Sequence, residues 1–186
     1  EIFIDAVSKF VNNFKETKQI PIRIVANNTV DGVLSTAILV RALEREDLNF
    51  SVCFVKELKD QKLQELNYDS AKTILFLGTG SKEISRIVEF VKNKQIFIID
   101  NSEEIDKSFN VNTLNPCLEG EKISLSALTY LLAKQINPKN SELVHLGFIG
   151  SLFTPSDYDH QLLKEAIEMK KILVSRGLQF FYGQTQ

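Results

Sequence analysis

The chain of 186 residues is long enough to bury a core without help from a metal ion or a disulfide. Its formal net charge of −2 argues against strong non-specific binding to nucleic acid, which requires a dense surface of Lys and Arg. The two cysteines, Cys53 and Cys117, lack the spacing of a metal site or a redox pair, so we expect free thiols in a reducing cytoplasm. No apolar run is long enough to span a membrane, and we expect no membrane association.

The first elements form a strand–turn–helix unit. Apolar residues at helical spacing predict an amphipathic helix over residues 2–16. A buried strand at residues 22–26 follows, then a polar run at 27–32, and then a second helix whose apolar spacing begins at Val33. This order opens an α/β unit, in which ligands bind beyond the carboxyl ends of the strands. We therefore expect any ligand site to include the polar run.

The rest of the chain alternates between strands and helices. Strands are predicted at residues 50–55, 73–77 and 95–100, with a further short strand near 109–114. Helices are predicted at residues 57–67, 83–91, 123–137, 143–150 and 157–176. Ser81 is expected as an N-cap, and Gly177 as the residue that ends the last helix. We predict a single α/β domain over residues 1–186, with an open, mainly parallel sheet and helices on both faces.

Two common catalytic patterns are weak in this sequence. Gly78 and Gly80 follow the third strand, where a dinucleotide-binding loop would lie, but Glu83 stands where the third glycine is expected, and a tight turn is favoured. Neither histidine follows a strand. His145 lies in an apolar helix, which favours a hydrogen-bonded structural role, and His160 lies in a polar segment and could be solvated.

Carboxylates close to two strand ends are the informative acidic residues. Asp31 follows the first strand and Asp100 ends the fourth, so both could face one crevice. Two divalent ions about 4 Å apart repel by roughly 17 kcal/mol at an effective dielectric constant near 20, and two carboxylates neutralise only half of their charge. We therefore predict no dinuclear centre. A single Mg²⁺ held by Asp31, Asp100 and water stays open, although capping of helices and turns is the favoured role.

Several segments resemble, in order, the motifs of the DHH phosphoesterase superfamily and its RecJ-like single-strand nucleases. The run at 27–32 is similar to the motif D-x-D-x-D-G, and the turn at 77–80 is similar to a strand-end motif with glycine. Residues 100–102 lie where the D-H-H motif is expected, and residues 146–151 are similar to L-G-x-x-A-D. A glycine that opens a helix lies at the start of 120–134. The resemblance covers residues 20–154 and implies a DHH-type domain.

The resemblance also implies which positions would bind metal, and most of them have lost the required side chain. These positions carry Asn27, Thr29, Asp31, Gly78, Asp100, Asn101, Ser102 and Ser151. Only Asp31 and Asp100 keep a carboxylate, so we expect a degenerate site with no metal ion, no cofactor and no catalytic residue. We also expect the chain to lack the separate substrate-binding domain that follows in active members.

Inactive RecJ-like proteins are subunits of the archaeal and eukaryotic replicative helicase, joined to MCM and the GINS complex. The resemblance therefore implies a scaffold role in DNA replication near the nucleoid, most like the archaeal version. Phe180, Phe181 and Tyr182 are candidates for binding the partner, although packing onto the core is an open alternative for them. A residual metal-dependent nuclease is the competing reading. Weak single-strand DNA binding would use scattered basic residues: Arg23, Lys82, Arg86 and Lys122.

Overall fold

The described part of the chain folds into a parallel sheet flanked by helices. The computed structural model describes residues 2–16, 21–154 and 158–172. The strands are β1 Ile22–Asn27, β2 Phe50–Val55, β3 Thr73–Leu77, β4 Gln95–Ile99 and β5 Asn112–Leu114. The helices are α1 Ile2–Lys15, α2 Val30–Arg45, α3 Asp60–Tyr68, α4 Ile84–Phe90, α5 Leu125–Ile136, α6 Val144–Ser151 and α7 Asp159–Glu168. Short 3-10 helices lie at Pro116–Glu119 and Pro138–Leu143. Within these ranges, no helix is long and apolar enough to cross a membrane.

The sheet has the strand order β2-β1-β3-β4-β5, and every neighbouring pair is parallel. Ile22 of β1 aligns with Phe50 of β2 on one side and with Thr73 of β3 on the other. The chain leaves β1 for β2 and then returns to the opposite side of β1, so the topological switch point lies between β1 and β3. The predicted open α/β sheet is confirmed, and it is parallel throughout.

Two apolar clusters cover the two faces of the sheet. The larger one joins α1, α2 and α5 to one face, with Ile24 and Leu75 among its buried residues. The smaller one joins α3 and α4 to the opposite face, with Val25 and Phe76 among its buried residues. Side chains alternate along a strand, so neighbouring residues of β1 and β3 serve opposite clusters. All five residues of β3 are buried, which explains its continuous apolar sequence.

Helix α2 begins at Val30, three residues before the predicted start. Thr29 is its N-cap, with an extended backbone and a side-chain oxygen that accepts a hydrogen bond from the Gly32 amide at 3.0 Å. Asp31 and Gly32 therefore lie in the first helical turn, and their assignment to the preceding loop was wrong. The apolar spacing that marks the helix starts later than the helix because its first turn is a polar capping structure.

Two other predicted helix ends were wrong. Ser81 does not cap α4, because helix α4 begins after Glu83; instead the Asp106 carboxylate accepts a hydrogen bond from the Ser85 amide at 2.7 Å. Helix α7 ends at Glu168, well before residue 176. Lys170 takes a left-handed backbone conformation, with φ of 57°, which stops the helix without a glycine. Gly177 lies outside the described residues.

Three phenylalanines fix α1 to the sheet. The Phe97 ring of β4 meets the Phe10 and Phe14 rings of α1 edge-on, at centroid distances of 5.5 and 5.3 Å. All three side chains are buried. The Asn13 amide also donates a hydrogen bond to the Asn112 side chain of β5 at 2.9 Å. Helix α1 therefore covers the β5 edge of the sheet as well as one of its faces.

We expect Phe97→Ala to lower the free energy of unfolding by about 3–5 kcal/mol, because it leaves a cavity between α1 and the sheet. Chemical denaturation followed by circular dichroism measures the change. Phe109→Ala is the matched control, since Phe109 is 50% exposed and should change stability by less than about 0.5 kcal/mol. Equal effects of the two substitutions would contradict the packing of α1 described above.

Candidate functional site

A crevice of about 850 Å³ opens beyond the carboxyl ends of β1, β3 and β4, at the switch point of the sheet. Of the positions predicted for the degenerate site, five line it: Asn27, Thr29, Gly78, Asp100 and Ser102. Asp31, Asn101 and Ser151 are not among its lining residues. The structure thus lines the crevice with most of the predicted positions, whereas Asp31 accepts hydrogen bonds from the N-terminus of α5.

Asn27 is held by a closed set of hydrogen bonds at the end of β1. Its Nδ2 donates to the Gly78 carbonyl oxygen at 2.8 Å, and its Oδ1 accepts from the Thr29 hydroxyl at 3.1 Å. The Thr29 oxygen in turn accepts from the Gly32 amide. Two would-be ligand positions therefore bond to each other and to the backbone. Each of the two side-chain oxygens therefore accepts a hydrogen bond from a donor of the protein itself.

Two glycines let the Asn27 amide group fit. A Cβ atom at Gly32 would lie 1.7 Å from Asn27 Oδ1, and one at Gly78 would lie 2.7 Å from Asn27 Nδ2. Gly78 also has a φ of 70°, which L side chains rarely adopt, and its amide donates to the Ile99 carbonyl oxygen of β4 at 2.7 Å. The glycines in the two motifs therefore make room for a side-chain hydrogen bond that joins β1 to β3.

Asp31 anchors the N-terminus of α5. Its two carboxylate oxygens accept hydrogen bonds from the Leu125 and Ser126 backbone amides, both at 2.9 Å. The Asp31 side chain is buried. Gly150 packs closely against it, since a Cβ atom at Gly150 would lie 2.8 Å from Asp31 Oδ1. A carboxylate at a helix N-terminus is stabilised by the unpaired amides and by the helix dipole. The favoured reading of Asp31 as a capping residue agrees with this geometry.

Asp100 has a comparable role at the end of β4. Its oxygens accept hydrogen bonds from the Ser81 amide at 3.1 Å and the Asn101 amide at 2.9 Å. The Asn101 side chain donates to the Ile123 carbonyl oxygen at 3.2 Å, and the Ser102 hydroxyl accepts from the Glu104 amide. Each of these side chains joins backbone segments around the crevice. The loops that surround Asp100 therefore depend on it for their geometry.

Ser151 lies at the end of α6, behind the crevice. Its hydroxyl donates to the Phe148 carbonyl oxygen at 2.8 Å, and the residue is buried. His145, in the same helix, has its Nδ1 3.0 Å from the Glu142 carbonyl oxygen, consistent with the structural role expected for it. Neither side chain faces the crevice, so neither can serve a ligand bound there.

Charges of both signs line the crevice in equal number. The basic residues are Lys56, Lys59, Lys82 and Arg86, and the acidic residues are Glu57, Asp60, Glu83 and Asp100. The Arg86 guanidinium forms an ion pair with Asp60, which removes it as a free phosphate contact. Of the other basic residues proposed for DNA, Arg23 pairs with Asp69 at 2.8 Å on a different part of the surface. The described crevice therefore lacks the basic track that tight single-strand binding needs.

Glu83 is a residue whose importance sequence reasoning missed. It is buried beside the crevice, and its Oε2 has no hydrogen-bond partner within the described structure. Burial, together with the negative charge of Asp100, raises the pKa of Glu83 despite the opposing charges of Lys82 and Arg86. The available signal was its position after Gly78 and Gly80, where a small residue would be expected. In the sequence, that position indicates only that the third glycine of a dinucleotide-binding loop is missing.

These residues do not fit the pair of divalent ions that a DHH site implies. Among the described residues, no three His, Cys, Asp or Glu side chains come together in a way that could hold a metal ion. Both Asp31 oxygens and both Asp100 oxygens already accept backbone hydrogen bonds. The Asn27 amide presents a donor to Gly78. The positions that remain are neutral, and Mg²⁺ or Mn²⁺ prefers anionic oxygen ligands.

Comparisons with known proteins identify the fold. No protein-family profile matches the chain. An uncharacterized protein of Methanocaldococcus jannaschii is 28% identical over 143 residues, which are 70% of this chain and 33% of that protein. It is a distant homologue from an archaeon.

Several solved structures share the fold of this chain. Exonuclease RecJ bound to manganese superposes with a TM-score of 0.75 at 17% identity, over 88% of this chain and 47% of RecJ. CDC45 from Entamoeba histolytica superposes with a TM-score of 0.62 at 18% identity, over 92% of this chain and 38% of CDC45. An exopolyphosphatase-related protein from Bacteroides fragilis gives 0.55 at 17% identity, over 89% and 57% of the two chains. The chain therefore has the DHH phosphoesterase fold.

The comparisons do not extend to activity. At these identities the likeness to solved structures concerns the fold alone. The chain spans about a third of the length of the archaeal relative and less than half of the RecJ structure. The same fold occurs in an exonuclease and in CDC45, so catalytic status must be argued from the side chains of the crevice.

We expect Asn27→Asp to lower the free energy of unfolding by about 1–3 kcal/mol, because it sets a carboxylate oxygen against the Gly78 carbonyl oxygen in place of a donor. Urea denaturation with and without millimolar Mn²⁺ measures this. Asn28→Asp is the matched control: Asn28 is exposed, and its substitution should change stability by less than about 0.5 kcal/mol. Stabilisation of the Asn27→Asp variant by Mn²⁺ would contradict our reading of the site.

We expect Glu83→Gln to gain stability relative to the wild type as the pH rises. The folded protein binds a proton at Glu83 more tightly than the unfolded chain, whose carboxyl has a pKa near 4.5. Wild-type stability therefore falls as the pH rises from 4.5 through the raised pKa, and the amide variant escapes this loss. Denaturation at a series of pH values measures the difference. Glu89→Gln, at an exposed position, should show a flat difference.

Proposed function

We propose that this domain is a non-catalytic, RecJ-like scaffold subunit of the DNA replication machinery, which binds the GINS complex and supports the MCM helicase. One observation carries the proposal: the carboxylates and amides at the DHH motif positions are hydrogen-bonded to the protein's own backbone. Such groups fix loops and helix ends, whereas metal-dependent hydrolysis needs several free anionic ligands around two ions. The fold is compatible with this role, since it is shared by CDC45 as well as by exonuclease RecJ.

The start of α2 and the end of α6 provide a candidate surface for such a partner. Four exposed apolar side chains lie at the start of α2 and just after α6: Val30, Val33, Leu152 and Phe153. We call them the α2–α6 patch. The two helix ends adjoin, because a Cβ at Gly150 would lie 2.8 Å from Asp31 Oδ1. Leu152 is 65% exposed and Phe153 is 62% exposed. Clustered apolar groups of this kind mark interaction sites more often than single exposed residues do.

Phe180, Phe181 and Tyr182, the candidates from sequence, lie outside the described residues. Their role in binding a partner stays a prediction. The α2–α6 patch was not predicted, since Val30 and Val33 were assigned to a polar turn and to the apolar side of a helix. Apolar spacing alone does not predict whether a residue in the first turn of a helix is exposed. Which side chains face the core depends on the residue at which the helix starts, and that residue was not known from the sequence.

A residual metal-dependent nuclease is the alternative function. The two carboxylates at the motif positions and the shared fold with exonuclease RecJ favour it. The crevice also has the size of a ligand site, at about 850 Å³. Against it stand the structural use of both carboxylates, which accept hydrogen bonds from backbone amides at the α5 N-terminus and around Asp100, and the neutral side chains at the other motif positions.

We expect the chain to co-elute with GINS from the same organism in size-exclusion chromatography, and Phe153→Ser with Leu152→Ser to weaken the affinity at least about tenfold. Isothermal titration calorimetry measures the affinity. Tyr68→Ser is the matched control, because Tyr68 is 87% exposed at the end of α3, on the other side of the sheet. Unchanged affinity in the double variant would show that the α2–α6 patch does not bind GINS. Absence of binding by the wild type would contradict GINS as the partner.

Incubation with Mn²⁺ and a labelled single-stranded oligonucleotide tests the alternative. We expect no turnover. Cleavage that is retained through purification and lost in the Asp100→Ala variant would overturn the proposal in favour of a nuclease. Circular dichroism of the variant is needed alongside, since Asp100 also fixes the surrounding loops. Cleavage that persists in this variant would indicate a contaminating nuclease.

A further inference from the structure

Strand β2 is an open edge of the sheet. The Ile22 amide donates to the Asn49 carbonyl oxygen and the Asn28 amide donates to the Val55 carbonyl oxygen. In the parallel register of β1 against β2, the amides and carbonyls of Ser51 and Cys53 also point toward β1. The backbone groups of Phe50, Val52 and Phe54 therefore point away from the sheet. In the described part of the chain, no further strand pairs with them.

This edge lacks the features that normally prevent strands from pairing with other molecules. Its sequence, FSVCFV, contains no charged residue and no proline, and its register against β1 continues without a bulge. Phe54 is 48% exposed. The opposite edge differs, because β5 has only three residues and α1 packs against it. An unprotected apolar edge of six residues predicts that another strand pairs with it.

The sequence of β2 indicates which strand fits. It is nearly symmetric about Val52, since Phe50 and Phe54 stand two residues to either side and the small residues Ser51 and Cys53 stand one residue to either side. We propose that β2 pairs antiparallel with β2 of a second copy of the chain, about a twofold axis at Val52. Each Phe50 then lies opposite Phe54 of the other copy. The interface is self-complementary, as a twofold dimer requires.

The backbone geometry fits this register. The outward residues Phe50, Val52 and Phe54 form hydrogen-bonded pairs, which provide about six backbone hydrogen bonds between the copies. Aromatic residues directly opposite one another on one face stabilise such pairing. On the other face, Ser51 lies opposite Cys53 of the second copy at a non-hydrogen-bonded pair, where side chains approach most closely. A continuous sheet through two copies results.

Charges at the strand ends are compatible with the pairing but contribute little. Asp47 precedes β2 and Lys56 follows it, and both are exposed. The register about Val52 aligns Asp47 of one copy with Glu57 of the other, which carries the same sign. Lys56 lies one residue from Glu57 and offsets this repulsion, so the net electrostatic contribution is small. We therefore expect dimerisation to depend only weakly on salt.

Sedimentation equilibrium of the 186-residue chain, from about 1 µM to about 500 µM, tests the proposal, because an interface one strand wide is small and should dissociate on dilution. We expect a reversible monomer–dimer equilibrium. Phe54→Lys should raise the dissociation constant at least about tenfold, since it removes both aromatic pairs. Phe109→Lys changes an equally exposed phenylalanine far from β2 and should leave the constant unchanged.

A disulfide tests the register. In a Cys117→Ser background, Ser51→Cys sets a new thiol opposite Cys53 of the second copy, at a spacing that suits a disulfide. We expect a covalent dimer on mild oxidation. The variant that carries Ser51→Cys and Cys53→Ser should not cross-link, because its two thiols are then out of register. Cross-linking of both variants to the same extent would contradict the register, and a chain that stays monomeric at every concentration would overturn the proposal.

Discussion

The interaction on which the site depends is the contact between the Asp31 carboxylate and the N-terminus of α5. It joins the first turn of α2 to the first turn of another helix ninety-four residues along the chain, and it does so where both pack against the sheet. A buried carboxylate is stable there because two backbone amides and a helix dipole meet its charge. Removing those amides would leave a buried polar group without its hydrogen-bond partners, so the position of α5 and the burial of Asp31 require each other.

The remaining motif positions follow the same principle on a smaller scale. Asn27 joins β1 to the turn after β3, Asp100 joins the ends of β4 and of the neighbouring turn, and Asn101 reaches the segment before α5. In a metallohydrolase an ion would attract these loops to one point. Here hydrogen bonds between neutral or singly charged groups join these loops. The motif positions of this fold can thus be satisfied by hydrogen bonds within the protein.

Much of the fold could be predicted from the sequence because buried parallel strands and amphipathic helices have clear patterns: β2 and β3 were predicted at their observed residues. The errors lie where a side chain from elsewhere sets a local boundary. Thr29 caps α2 before its apolar spacing begins, and Asp106 reaches α4 from a distant loop. The site was predicted as a set of positions, yet Asp31 does not line the crevice, because the direction of a side chain in the first turn of a helix depends on where that helix starts. The buried carboxylate of Glu83 was signalled only by its position after Gly78 and Gly80, because burial of a single carboxylate leaves no periodic pattern.

The hydrogen bonds around Asn27 have an evolutionary consequence. Hydrolytic metal sites work only when several anionic ligands are present together. A single substitution of Asn27 by a carboxylate would break the present bond to Gly78 without completing such a set of ligands. The amide that fits between the two glycines therefore makes a stepwise change of this site toward a dinuclear metal centre unfavourable.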